Sequence, residues 1–193
     1  MSKRINRKEL INFIEDARVR TLALVSDLDE RQLIGPKLPN VNPPLWEIGH
    51  IAYFYEFFIL RKLFKCPSFL GEKADTLYDS INVHHDSRWD LPLLNLEDTL
   101  DYMNKVKTSV IERLKDEVLS EKHSFAYKFG VFHEDMHTEA LFWSRQALGY
   151  PIPNLGEKDD SHSKIDCGPF SGFADIPGGH FSIGASKSDS FYF

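Results

Sequence analysis

The stretch from about Lys122 to Leu148 constrains the fold most, because it reads as one long helix with its stop supplied by Gly149 and Pro151. In its middle lies F-H-E-D-M-H-T-E, residues Phe132 to Glu139. His133 and His137 are an i, i+4 pair, so they share one helix face with Cβ atoms about 5–6 Å apart. Ala126, Phe129, Gly130, Met136, Ala140 and Ser144 fall on or beside that face, and most are small, which leaves room for an ion. Two imidazoles directed into a helical interior bring ring nitrogens that need partners, so packing alone does not account for them. The pattern calls for a metal and for at least one more ligand.

The remaining chain supplies helices to pack against this one. Asn6 to Leu28 reads as a first helix, with Asn6 and Glu9 forming an Asn-type capping box. Leu10, Phe13, Ile14, Ala17, Thr21, Leu24, Val25 and Leu28 recur along it at helical spacing. Leu33 to Val41, with Gly35, Pro36 and Pro39, reads as a loop. A second helix is expected to be capped by Asn42, to carry Pro43 and Pro44 in its first turn and Glu47 at its positive end, and to run to about Phe64. His50 lies on its core-facing stripe with Trp46, Tyr53, Phe54 and Phe57. A lone core histidine is more often a hydrogen-bonded structural residue than a ligand. Beside a helix that already offers two, His50 becomes the third ligand.

Cys66 to Pro92 is long, irregular and polar, and such a connection inside a compact domain usually has a function or is disordered. His84 and His85 within it are adjacent, so on an extended segment they point opposite ways and do not bind one ion together. Arg88 is the candidate there for a substrate carboxylate, since its planar fork suits bidentate pairing; an ordinary structural ion pair is the plainer role. A third helix begins near Asn95 and carries Leu96, Leu100, Met103, Val110 and Leu114 along one side. Four helices, with the Lys122–Leu148 helix central, define an all-α class and a four-helix bundle over residues 1–150. Residues 151–175 have linker composition, with His162 solvated, and Ile176–Gly184 reads as a turn feeding a short strand, the opening of a further domain over 176–193.

Three neutral imidazoles suit Fe(II), Zn(II), Cu or Ni(II) and leave positions open for water, substrate or O₂. Glu139 sits about 200° round the helix from His137 and faces away, whereas Glu134, about 60° away, is at most a partner for an imidazole N–H; a solvated or structural carboxylate is the plainer role for both. The net charge of −6 argues against a nucleic-acid surface. No apolar run reaches the ~18–20 residues of a membrane span, and no signal peptide is visible. Cys66 and Cys167, far apart and without ligand-like spacing, read as two reduced cytoplasmic thiols.

Taken together, H-x-x-x-H-x-E (His133, His137, Glu139) preceded by W-E-I-G-H on the second helix resembles the DinB-like N-terminal domain of ergothioneine- and ovothiol-type sulfoxide synthases. The tail I-P-G-G-H-F-S-I-G resembles the start of the formylglycine-generating-enzyme-like domain that follows in those proteins. The resemblance implies a DinB-like bundle holding mononuclear non-haem Fe(II) on His50, His133 and His137. It implies O₂-dependent formation of a carbon–sulfur bond on the imidazole of a histidine derivative such as hercynine. L-Y-D-S-I-N-V-H-H-D-S-R-W-D-L-P with F-H-E-D-M-H is similar to the selenoneine synthase branch, whose donor is a selenosugar and whose product carries a C–Se bond.

Two departures qualify the likeness. Asp135 and Met136 stand where the family's hercynine sulfoxide synthases usually carry glutamines. The family's catalytic tyrosine belongs to the C-terminal domain, so the resemblance implies a chain truncated at the start of that domain, with no catalytic residue assignable within it. Two other readings share the three-histidine bundle: a stand-alone DinB-type thiol transferase or hydrolase using Zn or Ni, and a metal-binding module without catalysis. The partners expected are small molecules (a histidine derivative, a thiol or selenol donor, O₂) and no nucleic acid or membrane, with the protein a monomer or homodimer.

Overall fold

The computed structural model describes residues 6–116, 119–155 and 172–185. Helix α1 spans Arg7–Ala23, and the Asn6–Glu9 capping box is present in both directions. The chain leaves helical geometry at the C-cap Leu24, so α1 is shorter than its apolar periodicity suggests; Leu24, Val25 and Leu28 are buried from the turn that follows. A short α2, Glu30–Ile34, then appears inside what reads as the end of one helix and the start of a loop. Its signal is Asp29 and Gln32, a second reciprocal capping box.

Helix α3 spans Pro44–Tyr55, and every one of its residues is buried. It is therefore the central helix, a place that periodicity assigns to the longer, amphipathic helix at the C-terminal end. Its N-cap is Pro43 with no side-chain cap, so Asn42 does not cap as expected; the Asn42 amide turns inward to Glu47 instead. The helix continues to Leu63, but from Glu56 its turns widen to a π-helix, Glu56–Leu63. The fully buried Glu56 carboxylate accepts from Tyr102 Oη at 2.7 Å, from Ser68 Oγ at 3.2 Å and from the Phe69 backbone N–H, which ties the widened segment to its neighbours.

The 66–92 connection is more ordered than its composition suggests, with α4, Lys73–Tyr78, and a 3₁₀ turn, His85–Ser87. Helices α5, Leu96–Asp116, and α6, Glu121–Ala147, complete the bundle. α1 packs on α6, and α3 packs on both α5 and α6. Side chains such as Ile14, Ile48, Val106 and Leu141 fill the space between them. Gly149 closes α6 at φ 68°, the left-handed geometry that favours glycine.

No strand occurs among the described residues; 172–185 is extended and exposed along its length, and the expected Ile176–Gly184 strand is not formed there. The linker residues 156–171, with His162 and Cys167, lie outside the described residues. No helix among the described residues is long and apolar enough to cross a membrane.

Candidate metal centre

The buried α3 and the inner face of α6 bring His50, His133 and His137 together, with one ligand-type nitrogen from each within 4.8 Å of the others. His133 and His137 face each other through their Nε2 atoms at 3.2 Å. Two nitrogens bound to one ion at ~2.0–2.1 Å stand ~2.8–3.4 Å apart, from neighbouring octahedral positions to tetrahedral ones. That separation suits a shared cation.

The second nitrogen of two rings is already committed. The Tyr78 carbonyl can only accept, so His50 Nδ1, 2.7 Å from it, carries the proton and its Nε2 keeps a lone pair. The Glu47 carboxylate likewise accepts from His137 Nδ1 and leaves His137 Nε2 as a lone pair. Both are arrangements in which an outer partner fixes tautomer and ring orientation for ligation. His133 is held by packing: its ring stacks on Phe54 at 3.4 Å between centroids and 9° between planes, while its Nδ1 is buried without a partner.

His50 and His133 are kept by burial in the neutral form that a metal requires. Burial, with the neighbouring His137 contributing, pushes His50 down to about 4. Burial also draws His133 well below the usual histidine range, again with His137 and His50 contributing. Burial alone would raise the Glu47 carboxyl, but the hydrogen bonds from His137 and Asn42 hold it below its ordinary value.

Glu47 is the site residue that sequence reasoning missed in this role. It is Asn42 Nδ2 that secures it, donating to Oε1 at 2.6 Å, and Arg88 Nη1 donates in turn to Asn42 Oδ1 at 2.6 Å. A chain of hydrogen bonds thus runs Arg88–Asn42–Glu47–His137. Arg88 also lies over the Trp46 ring at 3.8 Å and donates to the Val83 carbonyl at 3.3 Å. It forms no ion pair with a carboxylate among the described residues, and its Nε is buried without a partner.

Glu134, expected beside an imidazole, is elsewhere. Arg18 of α1 holds it from the far side of α6 at 2.8 Å, with both side chains almost fully buried. The imidazole partner is Glu47. His84 is exposed, and His85 contacts the Val41 carbonyl at 2.6 Å and the edge of Trp89, so neither joins the cluster. Gly130 does not line the site but packs against Tyr55, and Met136 is exposed.

A helical bundle with a buried three-histidine cluster shared between two helices defines the class, and residues 14–141 match the DinB superfamily, to which the chain belongs. Within that class it is similar to the hercynine oxygenase of Mycolicibacterium thermoresistibile, with 32% identity over 156 residues, which is 78% of this chain and 34% of that protein. The hercynine oxygenase of Mycolicibacterium smegmatis is 31% identical over 157 residues (79% and 36%). That of Mycobacterium tuberculosis is 29% identical over 135 residues (69% and 31%). The chain spans about a third of the length of these curated relatives.

Proposed function

We propose that this chain carries the metal centre of an O₂-dependent oxygenase acting on the imidazole of a histidine derivative of the hercynine type. The observation that carries the reading is the buried three-histidine cluster in a chain whose relatives are named hercynine oxygenases. Because the chain corresponds to about a third of those relatives, the reading assigns it the metal-holding part of the activity. The ligands are His50 and His137, through the nitrogens left free by Tyr78 and Glu47, and His133, through the Nε2 that faces His137. The metal is Fe(II), which supplies electrons to O₂ when bound; zinc has no redox chemistry to offer an oxygenase, and nickel belongs to the transferase alternative.

The chain's own groups bind, orient and exclude water. Glu47 and the Tyr78 carbonyl hold two imidazole N–H protons on the outer side, so both rings present lone pairs inward. Trp46 and Phe54 stack on His50 and His133 and keep water from those ring faces. The reading assigns Arg88, which has no carboxylate partner among the described residues, to the carboxylate of an amino-acid-derived substrate. The bond formed is C–S, or C–Se if the selenoneine-type resemblance extends to the donor. The setting is the cytoplasm, with Cys66 a free thiol.

The test is O₂ uptake by protein loaded anaerobically with Fe(II), with hercynine and thiol or selenol donors added in turn. About one iron per chain, lost in His133→Ala, is expected. Hercynine-dependent uptake would make this part sufficient for the oxygenase, and iron without uptake would leave it the metal-holding part alone. Tightly held zinc with thiol transfer and no O₂ chemistry would move the assignment to the transferase class.

A further inference from the structure

Helix α4 has only six residues, too few to be stable alone, so its position is set by what it docks against. Its last carbonyls are among the orphan acceptors that every helix end leaves. Here they are used by the metal-bearing helix: Leu77 O accepts Trp46 Nε1–H at 2.8 Å, and Tyr78 O accepts His50 Nδ1–H at 2.7 Å. The two rings so held stack on each other at 4.7 Å with planes 8° apart. Gly49 lies between them in sequence, and a Cβ there would overlap the Tyr78 ring, so α3 has given up a side chain to let α4 approach.

Ala74, Leu77 and Tyr78 bury α4 against the bundle, but apolar contact is non-directional and leaves rotation and sliding along the bundle poorly defined. Beside the Trp46–Leu77 hydrogen bond, a directional side-chain clasp fixes them. Arg61 grips Asp75 with both nitrogens, Nη1 to Oδ1 at 2.7 Å and Nη2 to Oδ2 at 2.9 Å. Tyr53 Oη donates to the same Oδ1 at 2.8 Å, and its ring stacks on the other side of His50 at 6.4 Å. Arg61, Tyr53 and His50 all belong to α3 and its π-helical continuation. We infer that Asp75 is a positioning residue of the metal site: clasped by Arg61 and Tyr53, it sets the register of α4, whose Tyr78 carbonyl fixes the tautomer and direction of His50.

The inference rests on the metal reading for its consequence, but its first readout needs no metal. In metal-free protein, nitrogen NMR of His50 is expected to show one Nδ1–H tautomer. Asp75→Ala is expected to give a mixture of tautomers and, in Co(II) titration, affinity weaker by about tenfold. Tyr53→Phe keeps the ring and removes the hydroxyl, and moves both readouts the same way by less; it decides the matter if Asp75→Ala does not fold. Asp27→Ala is the control, since it breaks a comparable Arg–Asp fork, Arg145 to Asp27 at 2.7 and 2.8 Å, where α1 ends. It should lower stability and leave His50 and Co(II) affinity unchanged. Unchanged tautomer and affinity in both clasp variants, or equal changes in the Asp27 control, overturn the inference. If the wild type binds no Co(II), the metal reading fails, and the His50 tautomer alone decides the clasp.

Discussion

By sequence position Glu47 belongs at the positive end of a helix dipole, and in the fold it also accepts the Nδ1 proton of His137. A buried carboxylate in that position raises the basicity of the ring and fixes its aim. Glu47→Gln keeps the volume but substitutes a neutral amide, so metal affinity is expected to fall by about 10–100-fold, read by competition titration with a chelator. The i, i+3 spacing of Glu47 and His50 is visible in W-E-I-G-H and puts both on one face. What the spacing does not carry is the partner, because His137 is 90 residues away and the contact exists only once α3 and α6 have packed. Glu134 illustrates the same limit from the other side. It stands next to His133 in the chain, yet Arg18, 116 residues away, takes its carboxylate into a different part of the core.

Among elements, most of those with a local signature are legible, and those made by tertiary bonds are not. The Asn6–Glu9 box and Gly149 mark ends that the structure has, and Asn95 accepts from the Asp98 N–H at the start of α5 as its position suggests. The Asp29–Gln32 box of α2 is present in the sequence, but it marks a helix of only five residues beside the Gly- and Pro-rich loop signal that follows. The π-helical widening after Tyr55 has no periodicity signal, since it follows from Glu56 serving Ser68, Phe69 and Tyr102. Helix α4 was hidden for the same reason: six residues carry too little pattern, and docking on α3 holds them. The contact that admits it is tight. Gly49→Ala is expected to cost about 1–3 kcal/mol of folding stability, seen as a lower denaturant midpoint with an unchanged slope. A stability equal to wild type would mean that the Tyr78 ring has room to move.

At the scale of the molecule, α1 is fastened to α6 by Arg18–Glu134 and Thr21–Thr138 in the core and by Arg20–Asp135 nearer the surface, and the turn after α1 is fastened by Asp27–Arg145. Arg145 also donates to the Leu24 and Pro151 carbonyls, so one side chain secures the end of α1 and the exit of α6. Its hydrogen bonds hold the Asp27 carboxyl below the ordinary value of 3.8. A carboxyl depressed in the folded state contributes stability that is fully present above its unfolded value and is lost as pH falls through the folded one. Asp27→Asn is therefore expected to be less stable than wild type at neutral pH, with the two stability curves converging at strongly acid pH. Parallel curves down to that limit would show that the fork adds nothing. The all-α bundle itself was readable from helical periodicity and stop signals, whereas the identity of its central helix was not. Burial on all sides belongs to α3 because the other helices surround it.

The measurement that bears most directly on the account is anaerobic metal titration of the wild type beside His50→Ala, His133→Ala, His137→Ala and His84→Ala. The account predicts about one ion per chain for the wild type and for His84→Ala, and loss of most bound metal in each of the other three. Wild-type stoichiometry and affinity in His50→Ala would contradict it, because the site would then not be shared between α3 and α6.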